Sequence, residues 1–248
     1  MNEVEFLTSN GFVAVDRKEQ LEALQFNDDI RYEYKINDYG MKYCVIRNVL
    51  KYPDKFITLL KRHPGYGGSI QVTSPGFRQL LSPIEYSSLL NMYNNVCDAL
   101  NGVKTNINVL RWVCCSNIFY NGMKGNPRPH PDGSNNASNL WLSQGMEKAG
   151  TGFYRLKIEN SIYYNFKDVK QEHMKVFSSI LQNNQKDIVP WFGFDKDEHW
   201  ELYDVIPAEF NSAVIYNGNW FHNAYYEPKN WDSNKVRYSF VSFLQESI

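Results

Sequence analysis

No apolar run in the 248 residues reaches the roughly 18–20 positions needed to span a bilayer, so no membrane-crossing helix is expected. The opening MNEVEFLTSNGF lacks a basic stretch followed by an apolar one, so no secretory signal is expected either. Charge of one sign is also missing. Lys and Arg number 26 against 27 Asp and Glu, with no basic tail or stripe, which argues against a phosphate-tracking nucleic-acid binder. Cysteine is scarce: Cys44, Cys97, Cys114 and Cys115 form no CxxC spacing, which excludes a zinc knuckle and gives no disulfide framework. The expectation is four reduced, mostly buried thiols in a cytoplasmic protein. No internal repeat and no low-complexity linker appears, so residues 1–248 read as a single domain.

What is present points to β structure. Hydrophobic residues make up 43%, enough for a real core, and aromatics reach 15%, which favours strands over a helical bundle. MKYCVIRNVL (41–50) has strand composition, and YPDKFITLLKR (52–62) reads as a helix with Pro53 at its start. A second helix is expected from Pro83 to Leu100 behind Ser82 as N-cap, with Leu89, Leu90, Tyr93 and Cys97 near helical period. Beyond residue 104 the character changes. TNINVLRWVCCSNIFY (105–120) predicts one or two strands, and short strands follow at 138–144, 150–158, 199–207, 212–217, 220–226 and 236–244. One helical pattern, 166–182, interrupts them inside an insertion at 159–198, where Trp191, Phe192 and Phe194 either line a pocket or cap the sheet. Strands without βαβ alternation predict an α+β, mainly β chain. Its support region is 1–104 and its antiparallel sandwich or jelly-roll core is 105–248.

Within that core one turn-rich segment, NPRPHPDGSNN (126–136), carries His130 and Asp132 two residues apart. In an extended backbone both project from one face, and Pro131 favours an extended conformation at His130. The pair is a polar loop or part of a metal site. His222, in NGNWFHNAYY, is a core aromatic at a strand end or the third ligand. Two histidines, one carboxylate and open positions make the facial triad of non-haem Fe(II) oxygenases. Arg237, in KVRYSFVSFL, either points to solvent or enters the core. If it enters the core it must meet an anion, and a guanidinium grips a carboxylate bidentately. Ser239 shares its face and adds a hydroxyl. His63, His173 and His199 have no carboxylate two residues away in a strand context and read as surface histidines.

The ordered set His130-x-Asp132, Gly150-Thr151-Gly152-Phe153-Tyr154, His222 and Arg237-x-Ser239 resembles the 2-oxoglutarate/Fe(II)-dependent oxygenases, in their prolyl-hydroxylase-like branch. The resemblance covers roughly residues 40–246. It implies a double-stranded β-helix (jelly roll, cupin-like) core with N-terminal helices packed on one sheet. It also implies Fe(II) on His130, Asp132 and His222, and 2-oxoglutarate held by Arg237 and Ser239, with Tyr120 against the co-substrate. Two departures from that branch stand out: arginine at 237 where lysine is usual, and glycine at 152 in the third position of the glycine motif. The implied activity is dioxygenation, a hydroxylation of an unactivated C–H bond with O2 consumed and succinate and CO2 released. The substrate would be an amino acid, a peptidyl residue or a small metabolite. The alternative is a catalytically inactive jelly-roll binding or structural protein. A nucleic-acid demethylase of the same superfamily would want a second arginine at 243, where this chain has Phe243.

Overall fold

The structure is a computed structural model. It describes residues 17–62, 77–80, 87–118, 129–146, 148–157, 160–162, 199–226 and 236–246. In chain order the elements are α1 (Arg17–Ala23), β1 (Arg31–Ile36), β2 (Lys42–Arg47), α2 (Pro53–Arg62), β3 (Phe77–Leu80) and α3 (Ser87–Asn101). Then come β4 (Ile107–Ile118), β5 (Asn136–Trp141), β6 (Ala149–Leu156), β7 (Trp200–Pro207), β8 (Ser212–Asn217), β9 (His222–Tyr226) and β10 (Val236–Glu246). Among the described residues the chain is mostly β, in two antiparallel sheets with few helices, an arrangement consistent with a cupin-like fold. One sheet has seven strands in the order β1-β2-β8-β5-β10-β4-β3, and the other has three in the order β7-β6-β9.

In the middle strands of the larger sheet (β2, β8, β5 and β10) both faces are buried, and alternation sorts their residues between them. Cys44, Ile46, Leu140, Ala213, Ile215, Tyr238, Phe240 and Leu244 form one core with helix residues Phe56, Leu59, Leu89, Met92, Tyr93 and Val96. The intervening residues Val45, Ala137, Trp141, Val214 and Tyr216 face the smaller sheet and pack with Phe153 and Ile206. Each buried Val, Leu, Ile, Phe or Met among them contributes about 1.5–3 kcal/mol.

Local chemistry explains the elements. Pro53 supplies a pre-set φ at the first turn of α2 and Asp54 complements the helix dipole there, while Phe56 and Leu59 bury one stripe. Along α3, Leu89, Met92, Tyr93, Val96, Cys97 and Leu100 recur three and four apart and are all buried. Gly102, at φ 70°, ends it, with its N–H donating to the Asp98 carbonyl at 2.9 Å. Burial pushes the Cys44 and Cys97 thiols up to about 12, as expected of inert core cysteines.

The strands expected in the core are found, with ends shifted by a few residues, and 105–120 is one strand, Ile107–Ile118. Three elements were not expected: α1, β1 and β3. The start of the Pro83 helix, the 166–182 helix, Tyr120, His63, His173, Trp191, Phe192 and Phe194 lie outside the described residues. No described helix is long and apolar enough to cross a membrane.

Candidate metal centre

The smaller sheet ends where the turn-rich segment begins. His130 and His222 form an antiparallel bridge, with His130 N–H donating to the His222 carbonyl at 3.0 Å and His222 N–H to the His130 carbonyl at 3.2 Å. Directly paired residues share a face, so the imidazoles come together, their ring centroids 5.0 Å apart. Asp132, two residues on, meets both. Its Oδ2 lies 3.1 Å from His222 Nε2 and its Oδ1 lies 3.8 Å from His130 Nε2. One ligand atom from each of His130, Asp132 and His222 falls within 4.8 Å of the others, the spread a single ion can draw together.

The surroundings aim these atoms. The Trp220 carbonyl lies 2.8 Å from His222 Nδ1, and a carbonyl only accepts, so Nδ1 carries a proton and Nε2, the nitrogen beside Asp132, is the one left to ligate an ion once it gives up its own proton. Burial opposes a charge on His222, but Asp132 and the Trp220 carbonyl outweigh it, and its pKa is raised. Phe153 and Tyr216 close round the ring, with centroids at 6.4 Å and 4.9 Å. The ligand loop is pinned from β8. Asp132 N–H donates to the Gly218 carbonyl at 2.7 Å, and Gly218 N–H donates to the Asn135 carbonyl at 3.2 Å. A Cβ at residue 218 would sit 2.6 Å from Ser134 Oγ, so glycine is required by close approach. Gly133, at φ 69°, makes the bend between ligand and strand. The side chains of His222 and Asp132 are 8% and 7% exposed against 38% for His130, so the cluster opens to solvent on the His130 side.

The remaining expected residues lie on β10. Arg237 and Ser239 are each 1% exposed, and they alternate with Tyr238 and Phe240, which face the helices. Both therefore turn toward the interior between the sheets, and the solvent-facing reading of Arg237 is overturned. Burial drives the Tyr216 phenol well above its ordinary range, Asp132 adds to the rise and Arg237 opposes it, so one hydroxyl senses both charges. His199, expected at the surface, is partly buried immediately before β7. Its carbonyl accepts from Lys157 N–H at 2.9 Å.

Sequence reasoning did not pick out Tyr216, Gly218 or the Trp220 carbonyl as parts of this site. Of these, only the glycine after an apolar strand and before the distal histidine carried a readable signal.

Fold and site together define a mostly β chain with a His-Asp-His cluster able to hold a divalent ion. Residues 31–238 match the model of a family described as "Family of unknown function (DUF6445)", and the chain belongs to that family. No curated protein matches the chain. Solved structures similar to it include SnoK, a non-haem α-ketoglutarate-dependent carbocyclase from nogalamycin biosynthesis. The two share 14% identity at a TM-score of 0.48, over 82% of this chain and 79% of that one. HygX from Streptomyces hygroscopicus, solved with nickel and 2-oxoglutarate bound, shares 10% identity at a TM-score of 0.46, over 95% and 89%. An oxidoreductase of the 2OG-Fe(II) oxygenase family from Burkholderia pseudomallei shares 10% identity at 0.35, over 99% and 91%.

Proposed function

We propose that this chain is an Fe(II)- and 2-oxoglutarate-dependent dioxygenase on a double-stranded β-helix, with its N-terminal helices packed against the larger sheet. The observation that carries the reading is the cluster of His130, Asp132 and His222 within 4.8 Å at one end of an interior that also holds buried Arg237. Two imidazole nitrogens and one carboxylate suit iron(II) and leave positions for other ligands. The interior fits a polar occupant. Asn139 Oδ1, Trp141 Nε1 and Thr151 Oγ1 are buried without a hydrogen-bond partner among the described residues. Each would cost about 1–3 kcal/mol if left dry.

In this reading His130, Asp132 and His222 hold the metal, the Trp220 carbonyl keeps His222 in the ligating tautomer, and Arg237 with Ser239 grips the distal carboxylate of the co-substrate. With iron and 2-oxoglutarate bound, the site couples consumption of O2 and release of succinate and CO2 to oxidation of a C–H bond. Phe153 and Tyr216, buried against His222, exclude bulk water from the inner side of the cluster. The outcome we favour is hydroxylation of an amino acid, peptidyl residue or small metabolite reaching the cluster from the exposed His130 side.

The test is a succinate-release screen with Fe(II), 2-oxoglutarate and O2 across amino acids, peptides and metabolites. A substrate that raises succinate in wild type but not in His222→Ala supports the reading. Absence of 2-oxoglutarate binding and of any turnover favours the inactive binding protein instead.

A further inference from the structure

We infer that Trp141 and Thr151 are two neutral donors that complete the carboxylate cradle at the deep end of the interior, one from each sheet. The inference rests on the proposed dioxygenase reading and goes beyond it, because neither residue belongs to the ligand set or to the Arg237-x-Ser239 pair.

Register fixes where they stand. On β10 and β5, Ser239 pairs with Trp141, so the indole rises beside Ser239 on the same face, and Arg237 is the diagonal neighbour two residues earlier. On the opposite sheet, Phe153 pairs with His222 and Thr151 pairs with Ala224. Thr151 therefore shares the inner face with Phe153 but lies two residues deeper, about 7 Å along the strand. It also pairs with Ile206, a member of the same inner cluster as Trp141, so the two residues stand on the inner faces of opposite sheets and border one interior.

Depth matches the co-substrate. Metal–oxygen distances near 2 Å and carbon–carbon bonds near 1.5 Å put the distal carboxylate of 2-oxoglutarate roughly 6–7 Å from the ion. Thr151 stands at that level.

Chemistry matches as well. Trp141 is 1% exposed and Thr151 is 2% exposed, and Trp141 Nε1 and Thr151 Oγ1 have no hydrogen-bond partner among the described residues. An indole N–H is a donor only, and a threonine hydroxyl can donate, so both satisfy an anion. Asn139 Oδ1, another inner atom of this kind, is an acceptor and serves no anion. A carboxylate has about four lone-pair sites, more than one bidentate guanidinium fills. Gly150 and Gly152 flank Thr151 for packing reasons. A Cβ at 150 would lie 2.0 Å from the Ile206 carbonyl oxygen, and one at 152 would lie 3.0 Å from the Tyr154 hydroxyl. The threonine is the residue of that motif that brings a polar atom to the inner face.

The experiment uses the full chain loaded with Zn(II), which is diamagnetic and redox-silent, with 15N-labelled indoles. Trp141 is assigned as the indole signal missing from Trp141→Phe. Titrating 2-oxoglutarate should move that signal, while 2-oxovalerate, which keeps the 2-oxo acid but lacks the distal carboxylate, should leave it near its starting place. By calorimetry, Thr151→Val, which keeps the shape, and Trp141→Phe should each weaken 2-oxoglutarate about five- to twentyfold and leave 2-oxovalerate unchanged. If 2-oxoglutarate binds wild type but the Trp141 signal stays fixed and Thr151→Val binds it normally, this inference falls and the dioxygenase reading stands. If loaded wild type binds no 2-oxoglutarate, both fall.

Discussion

Gly218→Ala tests whether the ligand loop is held from β8. The residue touches no metal, yet its carbonyl accepts from Asp132 N–H at 2.7 Å and its N–H donates to Asn135 at 3.2 Å. The added Cβ would stand 2.6 Å from Ser134 Oγ and 2.7 Å from the Ser134 carbonyl oxygen. The hydroxyl can rotate away, but the carbonyl is backbone and cannot. Against ordinary contacts near 3.5 Å, the loop must retreat by roughly 0.5–1 Å. A metal site tolerates about 0.2 Å in each ligand distance. Because Asp132 bonds through this loop, its carboxylate moves with it. Loss of such an outer support typically costs 10- to 100-fold in metal affinity, or about 1.4–2.8 kcal/mol. The assay is Zn(II) or Co(II) titration against a competing chelator, with thermal unfolding recorded in parallel. Affinity equal to wild type in a folded Gly218→Ala protein would refute the claim that this contact positions Asp132.

Asn211→Ala should destabilise the corner that ties β2 to β8, because Asn211 accepts from Leu50 N–H at 2.8 Å and donates to the Leu50 carbonyl at 2.9 Å. Losing two buried hydrogen bonds and placing alanine at φ 55° should cost about 3 kcal/mol, a fall in Tm of about 6–12 °C by calorimetry. In the metal-free protein the raised pKa of His222, with burial opposing and Asp132 prevailing, gives stability that is fully present below the unfolded value near 6.5. That stability is lost as pH rises through the folded value. Metal binding runs the other way, since protons compete for His222: affinity should fall as pH drops below the raised value, and a pH-independent affinity would contradict this assignment.

Much of the site was legible because its residues keep chain order and strand alternation. His130 and Asp132 are two apart in an extended segment, and Arg237 and Ser239 are two apart on β10. On β10, alternation separates two buried faces, Tyr238 and Phe240 toward the helices and Arg237 and Ser239 toward the site. A polar residue in an apolar strand therefore marked the interior, where the usual expectation is solvent. β1 was missed although RYEYKI alternates charged residues with Tyr32, Tyr34 and Ile36; it is a six-residue edge strand, and its apolar side chains stay exposed instead of joining a core. α1 is only seven residues long, too short for a clear helical period. Trp141 reads as an ordinary strand residue, and Thr151 only as one member of the glycine motif. The role inferred for them rests on pairing partners remote in sequence, Ser239 and Ile206, which no local pattern supplies.

The central claim is that His130, Asp132 and His222 hold an iron(II) ion that accepts 2-oxoglutarate. Adding Fe(II) and 2-oxoglutarate under anaerobic conditions tests it most directly. Wild type should take up one iron per chain and develop a weak visible charge-transfer band, and Asp132→Ala and His130→Ala should not. A wild-type protein that binds neither iron nor 2-oxoglutarate, or an Asp132→Ala protein that keeps the band, would contradict the account.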